Sequence, residues 1–395
     1  MAPSAVRPAA NSSPAVEVQL AFTRPEDVTL DDPRRGLRRA RTLDAAAMND
    51  PRSYDPRTCR VLDCSALADF RPDLREHGFA HADLSRLPAL HAALARVRAA
   101  GRIDAADIRD IRRRLVGRSL PLSGGASMRL LYVAADGLFM RRAGPNGLRM
   151  PGVGAVHDAA REVHADQDVE GTPLRQILRG AAPWLFHHDS PDRRNVRSPI
   201  HLVNLWIPLE QATRPLALMD RRTLDRKAHQ LRYGLPTDDF LRRRQDMRIN
   251  DIWTFLHDPR QQWYFTSNMP ANTAYVFETL GTPHGSFILP GEARAEARHR
   301  QLVAAIDAVR RRDELAAIQS LAPSPDTHAE PVTEPLRRAI AAMDAALAEA
   351  RADPQALCRS ELADDWLVRA AAAAERVVRK SVEMRAIALV TRSRP

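Results

Sequence analysis

The chain has 395 residues, 44% hydrophobic and 27% charged, the composition of a folded globular protein with room for one large core or two ordinary ones. No apolar run approaches the roughly 18 residues of a membrane span, the first residues carry no secretory-type apolar stretch, and three cysteines (Cys59, Cys64, Cys358) make neither a disulfide framework nor a four-ligand zinc site, so a cytoplasmic protein without a membrane partner is expected. Lys plus Arg total 59 against 49 acidic residues, yet only Lys227 and Lys380 are lysines and aromatics are 5%, so the arginine runs read as solvated helix faces and nucleic acid is not an expected partner.

Residues 1–50 read as a flexible or irregular segment with a strand near Val16 to Phe22. Residues 51–125 form an N-terminal α/β segment. It has a strand at Arg60 to Asp63, a turn at His77-Gly78-Phe79, and helices whose faces carry Leu90, Leu94 and Val97, then Ile108, Ile111 and Leu115. Residues 126–299 change character: short β-prone runs occur at Met128 to Ala134, around Val163, and at His201 to Pro208, Trp263 to Thr266, Thr273 to Phe277 and Gly285 to Leu289. An arginine-rich helical insertion is expected near 221–247. So many short strands predict an α+β protein with a β-sandwich or barrel core and flanking helices. Residues 300–395 read as a helical C-terminal extension, with Leu302, Ile306 and Val309 on one helix and a polar linker near 322–334. Leu336, Ile340, Met343 and Leu347 mark a second helix, and Trp366 to Val382 an alanine-rich third.

The chemistry points to His164-Ala165-Asp166 and His284. Residues i and i+2 of a strand share a face, so His164 and Asp166 converge, and two imidazoles with one carboxylate form the facial triad that leaves iron(II) three open positions. His81-Ala82-Asp83 repeats the pattern, but there Asp83 precedes an apolar helical run and reads as a helix N-cap. An arginine one strand beyond the distal histidine could grip the far carboxylate of a 2-oxoacid through paired hydrogen bonds; Arg298, expected on the adjacent strand, is the candidate, with Arg294 as its local competitor. Asn204 and Trp206 alternate with Leu205 and are candidates to line the cavity or the core. Trp263 and Tyr264 read as core, Arg175 and Arg197 as weaker carboxylate candidates, and His187-His188 as a surface pair. No Gly-x-Gly-x-x-Gly, Walker or Gly-x-Ser-x-Gly motif occurs.

Taken in order, Arg60-Val61-Leu62-Asp63, His77-Gly78-Phe79, Val163-His164-Ala165-Asp166-Gln167, Asn204-Leu205-Trp206-Ile207-Pro208-Leu209, Pro215-Leu216-Ala217 with Asp220, Trp263-Tyr264-Phe265 and Pro283-His284-Gly285-Ser286-Phe287 resemble a known family over residues 55–300. It is the hydroxylase/desaturase family typified by the aspergillic-acid hydroxylase and the cephamycin methoxylation accessory protein (CmcJ/AsaB type). The resemblance implies a double-stranded β-helix (jelly-roll or cupin-like), Fe(II), 2-oxoglutarate and O2, metal ligands at His164, Asp166 and His284, oxoglutarate contacts near Arg298, and hydroxylation or desaturation of a small organic substrate, often in secondary metabolism. The chain departs from the family at Ile207, where Trp-Arg-Pro is usual, and at Asp168, where Ser is usual. The family's closing segment, Arg-Glu-Ser-Ile-Glu-Val-Arg, is matched after His284 only by Glu296 and Arg298. Two alternatives remain: an accessory protein binding a partner enzyme through its C-terminal helices, and a cupin-like metal enzyme that needs no oxoglutarate.

Overall fold

The computed structural model describes residues 14–32, 37–43, 47, 50–135, 137–150, 162–169, 178, 180–191, 193–236, 249–311, 329–359 and 362–392. In chain order the strands are β1 (Ala15–Phe22), β2 (Val28–Asp32), β3 (Leu37–Ala40), β4 (Asp55–Asp63), β5 (Phe79–Asp83), β6 (Ser119–Pro121), β7 (Ala126–Val133), β8 (Phe139–Ala143), β9 (His164–Ala165), β10 (His188–Asp189), β11 (Arg194–Asn195), β12 (Ile200–Glu210), β13 (Leu216–Met219), β14 (Gln230–Pro236), β15 (Ile249–Phe255), β16 (Trp263–Phe265), β17 (Thr273–Glu278), β18 (His284–Ser286) and β19 (Arg379–Arg392). The longer helices are α1 (Pro88–Ala100), α2 (Ala105–Leu115), α3 (Glu292–Arg311), α4 (Glu334–Ala352), α5 (Pro354–Arg359) and α6 (Leu362–Glu375).

Two sheets face each other. One has the order β1-β4-β16-β13-β18-β9-β15-β14-β3-β2, the other β5-β17-β12-β19-β7-β6 with β8 also on β19. Eight strands pair as a nested set of antiparallel partners: β8 with β19, β9 with β18, β12 with β17, and β13 with β16. First meets last, second meets seventh, third meets sixth and fourth meets fifth, which is a jelly-roll arrangement.

Period-two alternation decides which way each side chain points. On β12, Val203, Leu205 and Ile207 face outward into a cluster with Leu90, Leu94, Val97, Ile111 and Leu115, so α1 and α2 cover this sheet. Trp206 faces inward with Phe79, Tyr275 and Phe277, against Leu216, Leu218 and Tyr264 of the other sheet. The outer face of the ten-stranded sheet buries Trp253, Trp263 and Phe265 beneath Leu302, Ile306, Met343, Leu347 and Trp366 of α3, α4 and α6. The apolar faces of the C-terminal helices are thus used within the molecule. No helix among the described residues is long and apolar enough to cross a membrane.

Several local expectations change. The run read as helix to Val382 is helix only to Glu375; it turns, and Arg379–Arg392 enters the sheet with β12 on one side and β8, then β7, on the other. Val382, Met384, Ala386, Ala388 and Val390 alternate as its buried outer face, a strand period that the preceding alanines obscure. In the region read as a helical insertion, residues 226–229 form one helical turn followed by β14, and 237–248 lie outside the described residues, as do Arg175 and most of the linker near 322–334. Asp83 accepts from Ser85 N in a turn, while α1 starts later, at Pro88 after Leu87.

Candidate metal centre

β9 and β18 are neighbours, and their register sets His164 directly opposite His284. Asp166 follows at the end of β9. His164 Nε2 lies 3.4 Å and His284 Nε2 4.0 Å from Asp166 Oδ1, and the imidazole centroids are 4.5 Å apart. The Nδ1 of His164 is 2.8 Å from the Glu162 carbonyl and that of His284 is 3.0 Å from the Thr282 carbonyl. A carbonyl can only accept, so both Nδ1 atoms carry the proton and both Nε2 lone pairs turn toward Asp166 Oδ1. The ligand atoms all lie within 4.8 Å of one another. A set of two neutral imidazoles and one carboxylate, each ring fixed through its far nitrogen, fits a first-row divalent metal such as iron(II).

Burial and mutual charge act differently on the three groups. Burial opposes a charge on His164, but the hydrogen bond and charge of Asp166 outweigh it and raise its pKa. Burial and the adjacent His164 push His284 down to about 4. Asp166, although burial works against its charge, is held well below the ordinary carboxylate range by Arg385 and the two histidines. Asn204 Nδ2 donates to Asp166 Oδ2, and Thr279 Oγ1 donates to Asn204 Oδ1 at 3.2 Å, so the second carboxylate oxygen is occupied and Oδ1 faces the site. Arg385 lies 3.5 Å from Oδ1.

His164, Asp166, His284, Asn204 and Arg385 line an open cavity with apolar walls from Trp206, Leu216 and Phe277. One further carboxylate lines it. Glu383 Oε1 accepts from Trp206 Nε1 (3.0 Å), Arg379 (3.1 Å) and Ser381 Oγ (3.2 Å), and its Oε2 accepts from Arg141 Nε (2.8 Å). Arg379 is 2% exposed, lies over the Trp206 ring at 5.3 Å, and donates to the Arg214 carbonyl at 3.1 Å.

The structure brings His164, Asp166, His284, Asn204 and Trp206 into this cavity and leaves Arg298 out of it. Arg298 stands on α3, a helix where a strand is expected, and its Nε donates to Asp344 of α4 at 2.6 Å, with Arg294 near the same carboxylate. The strand expected after His284 arrives only at β19, because residues 292–375 intervene. There, Arg379-Lys380-Ser381-Val382-Glu383-Met384-Arg385 carries Arg, Ser, Glu and Arg at the places of the closing segment sought near Glu296 and Arg298. That run is the sequence signal for the arginine of the cavity wall. The two departures are also placed: Ile207 points outward beneath α1 and α2, so no cation is missing from the cavity wall, and fully buried Asp168 pairs with Arg232 at 2.9 Å.

His187 and His188, read as a surface pair, are both buried. His188 meets the Pro183 carbonyl and Ser190 Oγ, while His187 stacks on His201 at 4.3 Å. His187 and His201 lie 2.8 and 3.0 Å from Glu278 Oε1, a second group with ligand-like spacing. Arg221 already neutralises that carboxylate at 2.6 Å, and a divalent ion would face the guanidinium, so the group is a buried ion-pair network tying β12 to β17. His81 lies on β5, its Nε2 3.0 Å from Thr266 Oγ1, away from the triad.

A family model described as an oxidoreductase/YMDC permease-like domain (YDMC) matches residues 138–303. No curated protein matches the chain. Solved structures similar to it include a point variant of the iron and alpha-ketoglutarate-dependent endoperoxidase NvfI, at 14% identity and TM-score 0.48 over 96% of this chain and 98% of that one. A second NvfI structure, in a different conformation, gives 14% and 0.48 over 96% and 99%, and a third gives 14% and 0.43 over 95% and 98%.

Proposed function

We propose that the protein is a mononuclear non-haem Fe(II), 2-oxoglutarate-dependent oxygenase of the CmcJ/AsaB-type hydroxylase/desaturase family, with a double-stranded β-helix core, acting on a small organic substrate. The observation that carries this reading is the convergence of His164 Nε2, Asp166 Oδ1 and His284 Nε2 in the wall of a cavity that also holds buried arginine. The nested strand pairs, the family match to an oxidoreductase-type domain and the Arg-x-Ser-x-Glu-x-Arg run of β19 support it. The core is then built from β8, β9, β12, β13, β16, β17 and β18 joined by β19, with α3, α4 and α6 inserted between β18 and β19 on the outer face.

Bound iron would supply the redox chemistry, coupling decarboxylation of 2-oxoglutarate to oxidation of a substrate C–H bond. The chain's own groups do the rest. Asn204 and the two carbonyls that fix the imidazoles hold the ligand atoms in one orientation. Arg379, with Ser381 beside it, is the proposed anchor for the far carboxylate. On β12 and β19, Asn204 pairs with Arg385 at the level of Asp166, and Trp206 pairs with Glu383 two residues along. Two residues of strand are about 6.8 Å, the scale on which a five-carbon diacid separates its carboxylates, and the Arg379 guanidinium lies at the Glu383 level. Arg385, beside Asp166 itself, is too near the ligands for that task. Trp206, Leu216 and Phe277 exclude water from the site.

The test is an anaerobic titration of the protein with Fe(II) and 2-oxoglutarate, following the visible charge-transfer band of the chelate. Its appearance, with turnover of oxoglutarate to succinate in air, supports the reading. Iron binding with no response to oxoglutarate refutes it and favours the cupin-like alternative.

A further inference from the structure

The carboxylate cradle at the inner end of the cavity is filled by the chain itself. Trp206 Nε1, Ser381 Oγ, Arg379 and Arg141 all direct donors at Glu383. Two guanidinium groups, an indole N–H and a hydroxyl on one carboxylate form a site complete enough to bind a free anion. The partners differ in freedom to move. Arg379 is 2% exposed, packed over Trp206 and tied to the Arg214 carbonyl. That carbonyl is itself fixed, because Arg214 N donates to buried Glu292. The Glu383 side chain is 19% exposed and borders the open cavity. The acid can swing away while the cation stays.

We propose that Glu383 is an internal stand-in for a carboxylate ligand. It holds Arg379 and Arg141 in place while the cavity is empty and is displaced when a diacid enters. The inference rests on the oxygenase reading for the identity of the diacid, but not for the exchange itself. Its consequence runs against intuition: an acid inside an anion site weakens anion binding, because an entering carboxylate must break the existing contacts and then meets a like charge at close range.

The test uses the full chain and two probes. Glutarate, a five-carbon diacid without the keto group, is titrated by calorimetry with no metal present. 2-Oxoglutarate is titrated anaerobically with Fe(II). Glu383→Gln should bind glutarate roughly ten- to hundredfold more tightly than wild type. Equal or weaker binding overturns the proposal, because a merely structural glutamate would leave the arginines looser once removed. Failure of either protein to bind glutarate overturns it as well. Should Glu383→Gln not fold, wild type still decides the matter. Glutarate should shift the indole N–H resonance of Trp206, assigned from Trp206→Phe, and an unmoved resonance at saturation overturns the exchange. If glutarate behaves as expected but Fe(II) gives oxoglutarate no advantage over glutarate, the stand-in role holds and the oxygenase reading falls.

Discussion

Replacing Arg379 and Arg298 in parallel tests where the cosubstrate is anchored. Arg298 spends its Nε on Asp344 at the contact of α3 and α4, outside the cavity, and Asp344 is 37% exposed. Its loss should leave oxoglutarate affinity within about twofold of wild type and cost about 0.2–1 kcal/mol of stability, as for a solvent-screened pair. Arg379 lines the cavity on β19, and hydrogen bonds from a charged donor contribute about 1.5–3 kcal/mol. Arg379→Ala should therefore weaken oxoglutarate by about tenfold to a hundredfold or more, with iron affinity nearly unchanged. Arg379→Lys should recover part of the loss, because it restores the charge but not the planar fork. The assay is the anaerobic charge-transfer titration, with near-ultraviolet circular dichroism to confirm that the Trp206 environment is intact. A tenfold loss in Arg298→Ala, or none in Arg379→Ala, refutes the assignment.

Other measurements bear on separate parts of the structure. His164→Ala, Asp166→Ala and His284→Ala should each lose more iron affinity than the about 10–100-fold expected from losing a supporting partner, whereas His81→Ala should retain the metal by equilibrium dialysis. Gly78 has φ +88°, and a Cβ there would lie 2.8 Å from Thr282 Oγ1, on the residue whose carbonyl orients His284; Gly78→Ala should cost about 1–3 kcal/mol in denaturant unfolding and weaken iron binding too. A chain ending at Arg311 lacks β19, whose Val382, Met384 and Val390 are each worth about 1.5–3 kcal/mol buried, so it should lose its β-sheet circular dichroism; a folded fragment would show the last strand to be dispensable. Glu278→Gln strands the Arg221 guanidinium and should destabilise by about 3–5 kcal/mol near neutral pH. Despite burial, Arg221 and His187 hold the Glu278 pKa well below its usual value, so its contribution is present above the unfolded carboxylate pKa and is lost as pH falls through the folded one. The variant should accordingly give a flatter acid limb when urea midpoints are followed against pH.

The convergence of the candidate ligands is legible because its signal is local: His164 and Asp166 share a face by strand period, and His284 sits in a short run the family order picks out. The β core is legible from short β-prone runs broken by Pro and Gly, which fall on β7, β12 and β17. The partners of His187 were not, since nothing in a two-histidine run near a turn tells that Glu278 and His201 will close over it. Arg379, the proposed anchor, is hidden for a different reason. Proximity in sequence to His284 is not proximity in the sheet, because α3, α4, α5 and α6 lie between β18 and β19. The fold tolerates the interruption because one turn holds both of its ends. Arg214 N donates to Glu292 Oε1 at the entry, and Thr213 Oγ1 donates to the Val377 carbonyl at the exit, at 2.7 Å in each case. With entry and exit pinned side by side ahead of β13, the length between them adds only a slowly growing closure cost. The last strand therefore reaches β12 in the register that sets Arg385 opposite Asn204, as it would after a short loop.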